Sequence, residues 1–271
     1  MSSHRLTVWS LLKRLFADLK KERKSIVAIF KRNYFHRYAG AKFNLLWVYI
    51  MPCSPIIIYN FLEKLGVFGS HESGIPRSVY VTFGLTMYFI FPESLNIIGS
   101  ALSSNRNYIL KTGLSKVSAI LVSCLEVVSN FLIRLVFMSS ILIIFTNNFS
   151  INFLYLPIYG FIMMLFSFSL GIFVSIFSIL YKDLNSVTGM IGFYMLFASG
   201  IFLPIPQGNW FFEALQTSPI YKIIQEGRDV CLFSNGLTDS SIYYIAIGSF
   251  VFFVFAIVAL YRVDPLLDQA I

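Results

Sequence analysis

The sequence predicts an all-α integral membrane protein with six transmembrane helices, and three observations lead to that prediction. Of the 271 residues, 57% are hydrophobic and 13% are charged, whereas a soluble globular chain carries about 25% charged residues. The mean hydropathy is +0.74. The apolar residues fall into long stretches, and lysine and arginine residues gather at one side of those stretches, as the positive-inside rule expects of a multi-pass protein.

Residues 1–43 precede the first long apolar stretch and are predicted to lie at the cytoplasmic face of the membrane. Eleven of the 21 Lys and Arg residues fall here, interleaved with apolar ones. The apolar side chains between positions 6 and 19 recur at helical spacing, at Trp9, Leu12, Leu15, Phe16 and Leu19. This pattern indicates an amphipathic interface helix, followed by a basic cluster at 20–24 and a second amphipathic stretch. A soluble helix that packs on a partner fits the same pattern, and the two interpretations are compatible.

The predicted membrane domain occupies residues 44–271, where apolar stretches reach the length that a membrane requires. A helix needs about 20 apolar residues to cross roughly 30 Å of hydrocarbon. The predicted spans are 44–62, 78–101, 117–146, 153–180, 187–205 and 241–261. The third and fourth are long enough that we expect them to tilt or to extend beyond the membrane.

Residues 206–240 interrupt this pattern with several prolines and glycines. They contain two short apolar pieces, at 210–215 and 220–224, and neither is long enough to cross a membrane. We therefore expect two short re-entrant helices that enter the outer leaflet and return between the fifth and sixth spans.

The distribution of basic residues predicts the orientation. With the N-terminus inside, sixteen Lys and Arg residues lie on the inner side, four on the outer side, and Arg134 within the third span. Both termini are therefore predicted to be cytoplasmic. The net charge of +8 reads as a membrane-facing basic collar, and no nucleic-acid partner is expected.

Several kinds of chemistry lack a signature in the sequence. The phosphate-binding pattern GxxxxGK[ST] is missing, since the nearest string, residues 111–116, has the wrong spacing. All three histidines lie outside the predicted spans, and the three cysteines have no metal-ligand spacing. We expect no metal site, no catalytic residues and no cofactor in this chain, and a membrane enzyme is the least favoured interpretation.

Four segments, in order along the chain, carry a family resemblance. The first, residues 31–52, runs from a basic aromatic stretch through Trp47 to Pro52, and the second, residues 93–111, runs from a helix end into a polar loop. The third, residues 181–185, follows a long apolar helix, and the fourth, residues 202–221, contains two proline motifs. Together they resemble the permease subunit of type-2 polysaccharide ABC exporters, the family of O-antigen, capsule and teichoic-acid transporters. Two positions depart from the pattern. Lys182 replaces the Arg of an Arg-Asp pair, and Ser218-Pro219 replaces Asn-Pro.

The resemblance implies a homodimeric permease in the bacterial inner membrane, beneath which two nucleotide-binding ATPase subunits dock. ATP and Mg²⁺ would be bound by those partners, and the substrate would be a lipid-linked polysaccharide. A short helix near Ser104–Ser115 would transmit the ATPase stroke. Its expected contact residues are Asn105, Arg106, Asn107, Tyr108 and Lys111. Lys182 and Asp183 form a second candidate contact, although Asp183 suits an N-cap of the following helix at least as well.

Three charged residues are predicted to lie within the membrane: Glu93, Glu126 and Arg134. An unpaired charge there is unfavourable by at least a few kcal/mol, so Arg134 should face protein or water. Glu126 is eight residues earlier, about 12 Å along the helix and roughly 80° around it, too far for a direct ion pair. Glu93, or a residue of a second copy, is the better partner. A polar channel lining, a dimer lock and a purely structural ion pair all remain open.

Aromatic residues offer broad stacking surfaces to a sugar polymer. The candidate channel residues are Tyr49, Tyr59, Tyr194, Phe197 and Phe202. In so aromatic a chain any one ring is more often in the core or against lipid. Two other functions remain: a type-2 exporter of a drug or a lipid, and a membrane scaffold that docks a glycosyltransferase through the N-terminal helix. The sequence does not separate the possible polymers or a Gram-negative host from a Gram-positive one.

Overall fold

A computed structural model of the chain describes residues 8–36, 77–145, 151–181, 183–199, 217–233 and 241–270, with scattered positions between 50 and 66 and at 201, 213 and 215. Regular secondary structure in these residues is helical. In chain order the elements are α1 (Val8–His36), α2 (Arg77–Tyr88), α3 (Ile90–Glu93), a π-helical turn (Ser94–Ile98), α4 (Ala101–Ser104), α5 (Arg106–Thr112), α6 (Lys116–Phe145), a 3-10 turn (Ile151–Tyr155), α7 (Leu156–Ser178), α8 (Leu184–Ala198), α9 (Pro219–Cys231) and α10 (Ser241–Ala270).

Four helical stretches among the described residues are long and apolar enough to cross a membrane. They are Val79–Ile98, Lys116–Ser140, Asn152–Ser178 and Ser241–Asp264. These agree with the predicted second, third, fourth and sixth spans, so the chain is a multi-pass helical membrane protein. Helix α8, in place of the predicted fifth span, is apolar but has 15 residues. The first predicted span, 44–62, lies mostly outside the described residues, so the count of six stays a prediction.

The second span is not one regular helix. The α-helical pattern gives way to a π-helical turn at Ser94–Ile98, two residues after Pro92, which has no amide hydrogen to donate. The Ser94 hydroxyl donates to the Ile90 carbonyl at 2.6 Å, and the Ser94 carbonyl accepts from the Gly99 amide at 3.3 Å. A β-carbon on Gly171 of α7 would lie 2.7 Å from that carbonyl, so the glycine allows α7 to pack closely against the turn.

The core lies where α7 packs against the second span on one side and α10 on another. Its buried face carries small residues as well as large ones, including Gly160, Ser167, Gly171 and Ser175. A β-carbon on Gly160 would lie 2.3 Å from the Phe131 ring of α6, so the glycine admits that ring between the two helices. Helix α10 is peripheral, because only 17% of its apolar window is buried within one copy.

The N-terminal region forms one continuous helix of 29 residues, rather than a helix, a basic cluster and a separate second stretch. Ile26, Ile29 and Tyr34 are buried, and α1 packs along α6 of its own chain. The Tyr34 hydroxyl donates to the Asn130 side-chain oxygen at 3.0 Å in a buried position. Helix α1 therefore packs on its own chain, and both its position in the membrane interface and its packing on a partner stay predictions.

Helices α5 and α9 lie at opposite ends of the bundle. Helix α5 lies where the second span ends and α6 begins. Helix α9 packs against α2, the 3-10 turn and α7, which are the far ends of the same spans. We call these the α5 end and the α9 end. Helix α9 is a 13-residue helix in the region of the second predicted re-entrant piece, while residues 210–212 of the first piece lie outside the described residues.

Candidate functional site

Helix α5 is a short helix set apart from its neighbours by two breaks. Asn105 has φ −97° and ψ 11°, which ends α4, and its carbonyl accepts from the amides of Tyr108 and Ile109. The helix ends at Gly113, which has φ 66°, a conformation that a side chain disfavours. The two breaks place the seven residues Arg106–Thr112 outside the core. This agrees with the predicted short helix near Ser104–Ser115.

The exposure of the predicted contact residues is uneven. Arg106, Asn107 and Lys111 are exposed and Tyr108 is half-buried. Leu110 is 59% exposed, so the helix presents an apolar side chain beside its charges. Asn105 differs from the expectation that it faces a soluble partner, since it is 1% exposed and its amide group donates to the Ala101 carbonyl at 2.9 Å. Asn105 shapes the break in the chain, and the other residues form the surface.

Helix α1 supports α5 from the side. The Arg32 guanidinium lies 4.9 Å above the centre of the Tyr108 ring. The Asn33 amide donates to the Asn105 side-chain oxygen at 3.3 Å. No pattern in the sequence indicates this support. Arg32 and Asn33 stood out only as part of the motif at the entry to the first span.

The start of α6 contacts both the first and the last described helix, α1 and α10. The Ser115 hydroxyl accepts from the Ser118 amide at 3.2 Å, a helix cap. The Glu22 carboxylate of α1 accepts from the Ser115 amide at 3.1 Å and from its hydroxyl at 3.0 Å. The Lys116 ammonium lies 2.7 Å from the Asp264 carboxylate of α10. The loop that carries α5 is thus bounded by contacts to the first and last helices.

The second candidate contact is only partly described. Lys182 lies outside the described residues. Asp183 is exposed and occupies the N-cap position of α8, as the structural alternative predicted. Its side chain makes no capping hydrogen bond, however, so the expected stabilisation of the helix start is absent at this position.

Arg134 and Glu93 form a fork-to-fork ion pair between α6 and the second span. The two Nη–Oε distances are 2.5 and 3.0 Å. The Arg134 side chain is 0% exposed and the Glu93 side chain 20% exposed. The Phe89 ring lies 5.9 Å from the guanidinium carbon. Glu93 is the partner that the sequence analysis favoured within one copy, and it directly precedes the π-helical turn.

Glu126 lies apart from that ion pair, 3% exposed on α6. It borders a pocket of about 520 Å³ between α1, α6 and the broken second span. The described lining residues are Arg32, Asn33, Asn96, Ile97, Ser100, Ser104, Ser123 and Glu126. The spacing of Asn96, Ser100 and Ser104, four residues apart along the chain, could have indicated a polar face here.

A second buried arginine lies at the α9 end. Arg228 is 1% exposed, and its guanidinium carbon lies 3.7 Å from the centre of the Tyr80 ring. Its Nη2 lies 3.5 Å from the Ile201 carbonyl oxygen, and a β-carbon on Gly84 would lie 2.1 Å from that nitrogen. Asp229 makes no ion pair with it among the described residues. Burial raises the pKa of the Asp229 carboxyl above its ordinary value, and the Arg228 guanidinium opposes this rise only in part.

Arg228 is one of the four basic residues that the charge distribution assigns to the outer side, and the structure adds that its side chain is buried within the chain. A signal was present in the sequence. Arg228 follows Ile220 and Ile224 at successive intervals of four residues, so helical periodicity puts it on the apolar stripe of α9.

The candidate channel rings are largely outside the described residues. Tyr49, Tyr59 and Phe202 are not described, and for Phe197 only the backbone at the end of α8 is described. Tyr194 is 63% exposed on α8, with its ring edge-on to Phe193 at 5.7 Å. Their role in a channel stays a prediction. Among the described residues no group of three or more His, Cys, Asp or Glu residues could hold a metal ion.

The fold and the α5 end define a class of protein. It is a multi-pass helical membrane protein whose apolar spanning helices carry a short, exposed loop helix at one end of the bundle. The chain matches the ABC-2 type transporter family over residues 24–231, more than half of its length, and it belongs to that family. Such a permease works with an ATPase partner. No curated protein matches the chain.

Proposed function

We propose that the chain is the membrane permease of an ABC exporter that moves a lipid-linked polysaccharide across the bacterial inner membrane. Membership of the ABC-2 type transporter family supports the transport function. The polysaccharide is supported by the ordered motifs at 31–52, 93–111, 181–185 and 202–221, which resemble those of exporters of O-antigen, capsule and teichoic acid. ATP hydrolysis belongs to a separate subunit in this proposal.

The observation that carries the proposal is the construction of α5. None of its residues is fully buried, and only Tyr108 and Ile109 pack partly against the core, so most of the helix faces outward. Arg106, Lys111 and Leu110 present two cations and an exposed apolar side chain on one short element, a composition suited to a protein partner. In the proposal the ATPase presses on this element, and the α1 and α6 contacts carry the displacement into the spans.

The proposed orientation follows from the same surface. The α5 end carries the exposed basic positions Lys20, Lys21, Arg23 and Lys24 of α1, and positive charge favours the cytoplasmic side. Both termini are then cytoplasmic and the α9 end faces outward. The outer faces of α8 and α10 expose large apolar side chains, including Met190, Phe193, Ile247 and Phe250. In the proposed homodimer, lipid and the second copy cover these faces.

A gene deletion tests the proposed substrate. The cell's polysaccharide is located by fractionation and blotting in the deletion strain, with and without a plasmid copy of the wild-type gene. The proposal expects lipid-linked glycan to disappear from the surface and accumulate inside, and the plasmid to reverse both changes. Unchanged surface glycan would contradict it. Sensitivity to drugs or a change in membrane lipids would then favour the drug or lipid exporter.

A second experiment separates the transporter from the glycosyltransferase scaffold. Removal of residues 1–30 does not discriminate, because α1 also packs on α6 through Ile26 and Ile29. Reversing the exposed charges Lys20, Lys21 and Lys24 leaves that packing in place and is the sharper change. The transporter is expected to lose more glycan export from Arg106→Glu than from this triple change. The scaffold predicts the opposite order.

A further inference from the structure

The pocket beside Glu126 has the size of a small-ligand site. Its volume is about 520 Å³, within the range of roughly 300–1,000 Å³ that such sites occupy. It lies between the end of α1, the end of the second span with the following turn and α4, and the first third of α6. Each contributes polar side chains, and seven of the eight described lining residues are polar.

The wall that α6 contributes lies deep in the bundle, whereas Arg32, Asn96 and Ser104 are exposed. Glu126 lies ten residues after Lys116, where α6 begins, so the pocket reaches about 15 Å along the helix from the α5 end. At that depth the flanking residues Val122 and Val127 are fully buried in the apolar core. Ionisable and polar groups at membrane depth are unfavourable unless they serve a partner or a function.

The lining selects a class of ligand by its chemistry. A phosphate or other anion would meet the Glu126 carboxylate, and a cation would meet the Arg32 guanidinium, which both border the pocket. An apolar drug would leave these groups and the Ser and Asn side chains without water. A neutral ligand with several hydroxyl groups can both donate and accept hydrogen bonds. It can therefore bond to the carboxylate, guanidinium, amide and serine groups of the lining together.

The break in the second span supplies the acceptors and donors. Asn96 belongs to the π-helical turn, and Ser100 follows it in a turn between the π-helical segment and α4. Such turns re-aim side chains and are frequent at functional sites. Across the pocket, Ser123 and Glu126 are three residues apart on one face of α6. Two polar faces thus oppose one another across the cavity.

We propose that this pocket binds a sugar unit of the exported glycan at the cytoplasmic mouth of the permease, with Glu126 as the principal acceptor for its hydroxyl groups. The inference rests on the proposed polysaccharide export and adds a site to it. Arg32 links the site to α5 through its contact with Tyr108. Movement of α5 would therefore shift one wall of the pocket.

Site-specific photo-cross-linking tests the pocket in the full chain within its own cells. A small diazirine amino acid replaces Ser123, which lines the pocket, and in a control strain it replaces Leu132, which is 54% exposed on the outer face of the same helix. After irradiation, the expected result is a glycan adduct that a glycosidase removes, formed at position 123 and not at 132.

Two substitutions measure the contribution to export. Glu126→Gln removes the charge and keeps the shape, and the rate of glycan export is expected to fall roughly tenfold, as for loss of a charge-assisted hydrogen bond. Ser123→Ala is compared with Ser129→Ala, an equal change on α6 whose hydroxyl donates to its own helix at Leu125. Export should fall in the first variant only. The amount of chain in the membrane is measured in each strain.

The outcomes separate the site from the function. Glycan adducts at position 123, with reduced export by Glu126→Gln at an unchanged membrane level, support the inference. A lipid adduct, or no glycan adduct in a strain that still exports glycan, overturns the pocket and leaves the proposed function intact. Unchanged surface glycan in the deletion strain overturns both.

Discussion

Two arginines are buried in the helical bundle, and their surroundings differ in kind. Arg134 on α6 has a carboxylate partner, Glu93, with both Nη atoms at hydrogen-bonding distance. Arg228 on α9 has no ion pair among the described residues, and its guanidinium lies 3.7 Å over the Tyr80 ring in space that Gly84 leaves open. Both side chains are at most 1% exposed, so the difference is one of partner and not of burial.

The difference indicates different tolerances to movement. A fork-to-fork ion pair requires both side chains to keep their mutual orientation, and Glu93 directly precedes the irregular turn of the second span. A cation over a ring is less directional, but the fit against Gly84 is tight. We infer that the Arg134–Glu93 ion pair stabilises the centre of the bundle, whereas close packing around Arg228 stabilises the α9 end. The α5 end has several smaller polar contacts, among them the Glu22–Ser115 and Asn33–Asn105 hydrogen bonds.

The largest expected effect comes from breaking the central ion pair. Glu93→Gln leaves Arg134 buried with a neutral partner and should lower the free energy of unfolding by about 3–5 kcal/mol. The change in stability is measured by thermal unfolding in detergent, with size-exclusion chromatography of the tagged chain to monitor the folded fraction. The double variant Glu93→Leu with Arg134→Met should recover much of the loss, because no unpaired charge then remains. If the double variant is no more stable than Glu93→Gln, charge pairing is not what holds the centre.

The second effect concerns shape at the α9 end. Gly84→Ala puts a methyl group 2.1 Å from Arg228 Nη2 and 3.0 Å from Ile201 Cγ2, and overpacking of this kind should destabilise the fold by about 1–3 kcal/mol. Gly248→Ala on α10 is the matched control, since its β-carbon meets nothing within 4 Å. Equal unfolding temperatures for the two variants would contradict the tight fit.

A third change removes the ring beneath Arg228. Tyr80→Leu should lower the free energy of unfolding by about 1–2 kcal/mol, the range for a desolvated cation–ring contact. Tyr80→Phe keeps the ring and should lose less. The comparison is read from thermal unfolding of both variants, and a Phe variant as unstable as the Leu variant would assign the role to the hydroxyl group instead.

The smallest loss of stability is expected at the exposed cation–ring contact between Arg32 and Tyr108. Tyr108→Leu removes the ring beneath the exposed Arg32 and should lower the free energy of unfolding by about 0.5–1 kcal/mol. Its effect on ATPase-driven export should be larger than this loss implies, because Tyr108 belongs to the proposed docking helix. Export measured at equal membrane levels tests this. An export rate that changes no more than the stability would leave Tyr108 as a structural residue.

Much of the fold follows from hydropathy alone. The predicted third span, 117–146, agrees with Lys116–Phe145, and the predicted fourth, 153–180, contains Leu156–Ser178. Helix α10 begins at Ser241, as predicted for the sixth span, and continues to Ala270, past the predicted end at 261. Charges such as Arg262 mark the end of an apolar window, but they do not end a helix.

The rest depends on contacts between distant segments. No hydropathy window distinguishes the π-helical turn at Ser94–Ile98 from a regular helix, because the change inserts a single residue into the hydrogen-bond pattern. The burial of Arg228 depends on Tyr80 and Gly84, well over a hundred residues earlier in the chain. Within the candidate site, the exposed face of α5 was predictable, whereas its support by Arg32 and Asn33 required the packing of α1 on α6.

Transport by the purified system is the direct test of glycan export by this chain. The chain and the ATPase that co-purifies with it are placed in vesicles containing the cell's own lipid-linked glycan, and an external glycosidase reports which side the glycan occupies. We predict that ATP moves the glycan to the side of the α9 end, and that Arg106→Glu abolishes the movement when the vesicles contain an equal amount of folded complex. Glycan that stays on its original side while the folded wild-type complex hydrolyses ATP would contradict the account.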